Sequence, residues 1–169
     1  PLLCEVQSLA SASYFPNPRR TSIGFDLNRV NLLAAVLDKQ LATDFAKQDV
    51  FVNVVGGLRL TEPAADLAVA AAMISTLEEQ EIDAHTCFFG EIGLTGEVRT
   101  STFAIERLRE AEKLGFKRVV LPIGNQKGIE KMSGSKKSKI TMNFIKHVKE
   151  LTGLLSPRRQ NKYEQELDL

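Results

Sequence analysis

A mixed α/β fold, with helices packed on small sheets, is predicted for this chain by three observations. Short apolar runs such as "LLCEVQSLA", "DVFVNVV" and "KRVVLP" recur and read as strands. Between them lie segments whose apolar residues return every three to four positions, the period of an amphipathic helix. Over 104–122 a helix, a short apolar strand and a polar loop follow in turn, the order of α/β or α+β layering.

Residues 2–10 partly alternate and predict a strand; "SYFPNPRRT" (13–21), with two prolines and an Arg pair, predicts a loop. Asp26 or Asn28 caps the next segment, where Leu27, Val30, Ala34, Leu37 and Leu41 form one helical stripe. Residues 49–60 are rich in β-branched side chains and interrupted by Gly56–Gly57, which predicts a strand, a bulge or turn, and a short second strand. Pro63 fits the first turn of a helix running to about Gln80, because proline has no N–H to lose there. Leu67, Ala70, Ala71, Ile74 and Leu77 form its buried stripe, and the alanines permit close packing. Residues 85–99 predict two strands turning at Thr95–Gly96; 104–115 a short amphipathic helix stopped by Gly115; 117–122 a buried strand ended by Pro122. "GIEKMSGSKKS" (128–138) reads as a lysine-rich surface loop, and "ITMNFIKHVKELTG" (140–153) as a last helix. One domain over 1–153 is expected, with 154–169 a polar, frayed tail.

With 169 residues the chain is long enough to bury a real core. Twenty-two basic against 21 acidic residues leave a formal charge of +1, so a nucleic-acid site must come from uneven charge rather than from the total. Cys4 and Cys87 lie in strand-like runs without metal-ligand spacing, which suits reduced thiols and a cytoplasmic location. No apolar run is long enough to span a bilayer and no signal peptide is recognisable, so no membrane partner is expected. The abrupt start on a strand-like run, without Met, predicts a piece of a longer protein or a processed one.

The chemistry-bearing residues are sparse. His85 and His147 stand far apart without a partner pattern. The 128–138 stretch has five residues between its glycines and Ser where a phosphate loop needs Lys, and no apolar strand precedes it. No metal or cofactor is expected in this chain.

The order of segments resembles the proteolytic domain of Lon-type proteases, through "LRLTEPAADLAVAAAMISTL", "GEIGLTGEVRTSTFAIERLREAEKLGFKRVVLP" and "IGNQKGI", together roughly residues 50–130. That resemblance implies the Lon proteolytic fold (ribosomal protein S5 domain 2-like). The family uses a Ser–Lys dyad, with the Ser at a helix start where backbone N–H groups stabilise an oxyanion and a neighbouring Lys acts as base. Matched on Pro63, its "GPSAG" becomes "EPAAD": the nucleophile position is Ala64 and the following glycine is Asp66. Counted from Gly90-Glu91-Ile92, the Lys position is Ile105. Both dyad members are absent, so a fold that has lost peptidase chemistry is expected. Ser75 and Lys113 lie turns away from the dyad positions.

A closer resemblance, over residues 1 to about 153, is to the C-terminal Lon-like domain of the RadA (Sms) family of bacterial DNA repair proteins. It is carried by "PRRTSIGFDLNRVNLLAAVLDK", "DVFVNVVGGLRLTEPAADLAVAAA", "GEIGLTGEVR" and "EAEKLGFKRVVLP". Alanine in "EPAADLA" is that family's own pattern. The resemblance implies an upstream zinc finger and a RecA-like ATPase, hence zinc, ATP and magnesium in the longer protein and none in this chain. It implies a hexameric ring, a DNA-dependent ATPase driving branch migration, and duplex or branched DNA as partner. For DNA contact the sequence offers Arg19, Arg20, Lys117 and Arg118, then Lys127, Lys136 and Lys137 within a run of seven lysines against one acid over 127–149. Such residues give sequence-independent, salt-sensitive binding, and the same run also reads as a solvated face. Two other classes are carried beside this one: a Lon-type peptidase with a displaced nucleophile, and a scaffold that docks a recombinase or helicase without touching DNA.

Overall fold

The computed structural model describes residues 1–133 and 138–157. The first layer is a three-stranded sheet. Strand β1 (Val6–Ala12) pairs antiparallel with β3 (Gln48–Val54), and β2 (Arg20–Ile23) flanks β3 on its other side in parallel. Between β2 and β3 runs α1 (Leu27–Leu41). Of the two candidate caps Asp26 serves, its carboxylate accepting from Arg29 N at 2.8 Å. Val30, Ala34 and Leu37 are buried as the stripe requires, joined by Leu33 and Val36, whereas Leu27 lies exposed at the helix start. After β3, Gly56 takes φ 85° in a 3₁₀ turn. The chain then returns beside β2 through one parallel bridge, Phe25 to Leu60, so the expected second strand is a single bridge.

The central helix α2 (Asp66–Leu77) follows a 3₁₀ turn at Pro63–Ala65. Leu67, Val69, Ala70, Ala71, Met73 and Ile74 are all fully buried, so this helix is apolar nearly all round and packs on β1, α1 and the strands that follow. Next come β4 (Gln80–Glu81), β5 (Thr86–Phe88) and a short hairpin of β6 (Glu91–Ile92) with β7 (Val98–Arg99). Helix α3 (Ala104–Lys113) leads to β8 (Arg118–Pro122), α4 (Gln126–Ser133) and β9 (Thr141–Ile145). A second sheet, all parallel, is ordered β5–β8–β9. Strand β8 is buried on both faces: Val120 enters the large core of the first sheet, α1 and α2, while Val119 and Leu121 enter a smaller core under α3 and α4.

Two expectations fail. Residues 140–153 form β9 and two 3₁₀ turns instead of a helix. Ile140, Val148 and Leu151 are buried and Phe144 partly so, which is the spacing that mimics a helical stripe; in the structure Phe144 lies in β9 opposite Leu121 of β8, Ile140 just ahead of the strand, and Val148 and Leu151 in the turns that follow. The lysine-rich stretch from 128 begins inside α4, held by buried Ile129. Its Lys136 and Lys137 lie outside the described residues. At the other end, β10 (Ser156–Pro157) pairs with β4, and Leu155 is buried in the large core. The tail reading for 158–169 falls outside the described residues.

Candidate functional site

Pro63 starts its 3₁₀ turn at one end of α2, and Ala64, the nucleophile position of the resembled family, is buried there. Its carbonyl accepts from Gly90 N at 2.9 Å, and Gly90 O accepts from Leu67 N at 3.0 Å. Glycine suits the close approach at 90: a Cβ there would come 3.0 Å from Val98 Cγ1 and 3.3 Å from both Leu67 and Pro122, so those side chains would have to shift by a few tenths of an ångström. The helix start is thus stitched directly to the chain entering β6.

Asp66, where the family carries glycine, has a side chain only 1% exposed. Arg29 of α1 donates to it through Nε at 2.9 Å and also through Nη2, and Nη2 donates to Ile92 O at 2.8 Å. Ile92 N in turn donates to Asp66 Oδ2 at 3.0 Å. One buried carboxylate therefore ties α2 to α1 and β6, accepting three hydrogen bonds and with its charge matched at a helix start. The Asp66 hydrogen bond holds the Arg29 guanidinium pKa above its ordinary value. Arg29, the partner that answers Asp66, is 37 residues away in the chain and carries no local signal in the sequence.

Ile105 on α3 packs against the smaller core, so its position is filled by apolar contact. Two residues on, Arg107 is drawn inward with its side chain 17% exposed. It donates to Thr102 O at 2.9 Å, pairs with Glu62 just ahead of Pro63, and lies 5.6 Å from the Phe89 ring centroid. Burial lowers its pKa. Arg107 bridges the two segments that would present the dyad. Asn125, from the "IGNQKGI" stretch, clamps the chain ahead of α3: its Oδ1 accepts from Ser101 N at 3.0 Å and its Nδ2 donates to Ser101 O at 2.9 Å.

Beside this centre opens a cleft of about 880 Å³, walled by residues of the 22–26 and 57–63 segments with Arg29 and Asp66 in its lining. Its one serine, Ser22, donates to Phe25 O at 2.6 Å. Ser75, on the far part of α2, donates to Gln80 O at 2.5 Å. Neither hydroxyl is paired with a base, as an activated nucleophile must be. His147 is also engaged, its Nδ1 accepting from Lys149 N at 3.2 Å and its Nε2 lying 2.8 Å from Thr95 O. Among the described residues no group of three or more His, Cys, Asp or Glu side chains is placed to hold a metal ion.

The basic residues separate into two kinds. Arg20 donates to Asn31 Oδ1 at 3.2 Å and Phe45 O at 3.0 Å; Arg118 donates to Thr86 Oγ1 and to Leu154 O, each at 3.0 Å. Both guanidinium groups brace the fold. Arg19 is 65% exposed, 3.4 Å from Asp49 and 5.2 Å over the Phe15 ring. Its backbone N–H, bonded to Asp49, holds that carboxyl below its ordinary pKa. Lys117 and Lys127 are exposed. Lys117 O accepts from Thr141 N, and Lys139 N donates to Glu112, so Lys113, Lys117 and Lys139 gather where α3 ends and β8 and β9 begin. Arg19 and Arg20 belong to the first sheet and Lys117 and Arg118 to the second.

This is the architecture of a Lon proteolytic domain whose helix start carries Ala64 and a buried Asp66–Arg29 pair. The family model of the Lon protease (S16) C-terminal proteolytic domain matches residues 23–156, and the chain belongs to that family. Its resemblance to the Lon-like domain of RadA proteins is equally plain in individual relatives. It is 48% identical over 128 residues to the DNA repair protein RadA of Halalkalibacterium halodurans, covering 76% of this chain and 28% of that one. The Bacillus subtilis DNA repair protein RadA is 45% identical over 134 residues, 79% of this chain and 29% of its own. That of Rickettsia bellii is 39% identical over 158 residues, 92% and 32%. The chain therefore spans about a third or less of the length of these relatives.

Proposed function

We propose that this chain is a non-proteolytic Lon-fold module of a DNA-repair ATPase, serving subunit contacts in a ring, expected to be hexameric, and sequence-independent binding of duplex or branched DNA. The observation that carries the loss of peptidase chemistry is the helix start itself. Ala64 offers no nucleophile, Ile105 no base, and Asp66 puts a buried carboxylate where developing negative charge would need stabilisation. Lys117 and Lys139 at the end of α3 support the DNA contact: both are exposed, and among the described residues neither ammonium group has an internal partner, whereas Lys113 beside them lies 4.0 Å from Glu110, so the two are free to neutralise phosphates. Branch processing driven by ATP and magnesium, and a zinc finger, belong in this reading to further domains of the longer protein. In it, the whole works in the bacterial cytoplasm, where a recombinase is a fitting partner.

The test is a titration of the chain with duplex DNA at rising salt. The expected log K falls linearly with log salt, with a slope of about −0.9 for each phosphate neutralised. Lys117→Glu with Lys127→Glu should weaken binding and flatten that slope, because neither side chain supports the fold. Unchanged affinity in that variant, or no salt slope, overturns the DNA contact. Sedimentation of the chain checks the ring separately: a strict monomer at high concentration overturns it.

A further inference from the structure

Strand β1 is an edge: β3 pairs along one side, and among the described residues no strand pairs along the other. Val55 N donates to Glu5 O and Ser13 N to Lys47 O, so the odd-numbered residues of β1 turn their backbone groups toward β3. The even-numbered ones turn theirs outward. Ala10 N–H is taken, by Thr76 Oγ1 at 3.2 Å, while the outward groups of Ser8 and Ala12 face away from the sheet without a strand partner among the described residues. Edge strands are commonly guarded by charges, proline or bulges. "VQSLASA" has no charge and no proline, its seven residues pair with β3 in unbroken register, and Leu9 is 58% exposed on it.

Alongside this edge runs a groove of about 610 Å³. Leu9 and Ala10 of β1, Thr76 of α2, and Glu79, Gln80 and Glu81 of the segment that follows are in its lining. Gln80 Oε1 is buried there without a hydrogen-bond partner. The turn after α2 brings Glu78, Glu79, Glu81 and Asp83 together, all exposed. Among the described residues no Lys or Arg pairs with any of the four; Asp83 lies 3.8 Å from His85.

An open strand edge supplies unpaired N–H and C=O groups, a groove supplies room for side chains, and an acidic rim selects positive ones. We propose that the free edge of β1 docks an extended Lys- or Arg-bearing segment of a partner protein as an added strand, with its cations against Glu79 and Glu81. The surface is opposite in charge to the lysines of the DNA reading, and the two stand or fall independently.

The full chain is titrated with a fluorescent peptide alternating lysine and valine, read by anisotropy without DNA. Binding is expected, weakened at least about tenfold by Glu79→Lys with Glu81→Lys, two exposed changes outside the core. Ser8→Pro should also weaken it, since it removes an outward N–H and leaves the β3 ladder intact; circular dichroism checks its fold. If that variant does not fold, the charge reversal alone decides. No binding, equal binding of a peptide alternating glutamate and valine, or binding untouched by the reversal overturns the proposal. So does a wild-type dimer in sedimentation that the reversal converts to monomer, which assigns the edge to a second copy of this chain.

Discussion

Single side chains decide how the start of α2 is held. Asp66 and Arg29 exchange a bidentate contact inside the fold, and both also bond to Ile92. A buried pair contributes little net stability over an apolar pair of the same shape, but removing one partner strands the other's charge. Asp66→Ala should therefore cost about 3–5 kcal/mol, read from the urea midpoint, even though it recreates a small residue near the family's glycine. A loss no larger than that of an ordinary surface change would mean Arg29 finds another anion. Glu97 gives a pH prediction. The Thr95 hydroxyl, then backbone donors and Arg99, hold its carboxyl down to about 2 from an ordinary 4.5. A depressed carboxylate stabilises the fold above its unfolded pKa and loses that contribution as pH falls through the folded value. Glu97→Gln should thus lower the urea midpoint near neutrality, with the difference from wild type fading between about pH 4.5 and 2. A difference that persists at about pH 2 would assign the effect to shape rather than charge.

Among the elements, α2 is the one on which the others are assembled. Its alanines were legible in the sequence as a stripe for close packing, and Ala70 and Ala71 are fully buried. Close approach leaves no room for added methylenes, so Ala71→Leu should destabilise by about 1–3 kcal/mol through overpacking, measured by thermal or urea unfolding. A neutral or stabilising result would reveal unfilled space beside the helix. Strand β9 shows the limit of periodicity. Ile140, Phe144, Val148 and Leu151 are spaced as a helix would bury them. The free edge of β8 offers a parallel partner instead, and ladder pairing outweighs a local preference that is weak in "ITMNF".

For the molecule as a whole, the two layers are joined so that α2 opens at the C-terminal ends of β5 and β8, where the cleft and the dyad positions lie. Restoring two residues does not restore such a site. Ala64→Ser with Ile105→Lys is expected to leave unfolded casein uncut and a serine-reactive phosphonate unattached. Asp66 keeps its charge at the helix start, and Arg107 and Glu62 bridge the segments that would present the pair. Labelling of residue 64 in that variant would show that the chemistry was lost at the dyad alone.

By itself the sequence determined the fold class, the helix over 27–41, a helix expected over 104–115 and found over 104–113, and the central helix with Pro63 in the turn that opens it; that Ala64 and Ile105 stand at dyad positions is what the resemblance implies. These depend on local period, on caps and on residue identity, all carried by neighbouring positions. Only the tertiary structure decided that Arg29 answers Asp66, that Arg20 and Arg118 are spent on internal acceptors while Lys117 stays exposed, and that 141–145 is a strand. The reason is physical: hydrogen-bond partners and sheet neighbours are chosen across dozens of residues, by which groups burial leaves unsatisfied, and no short-range pattern encodes that choice.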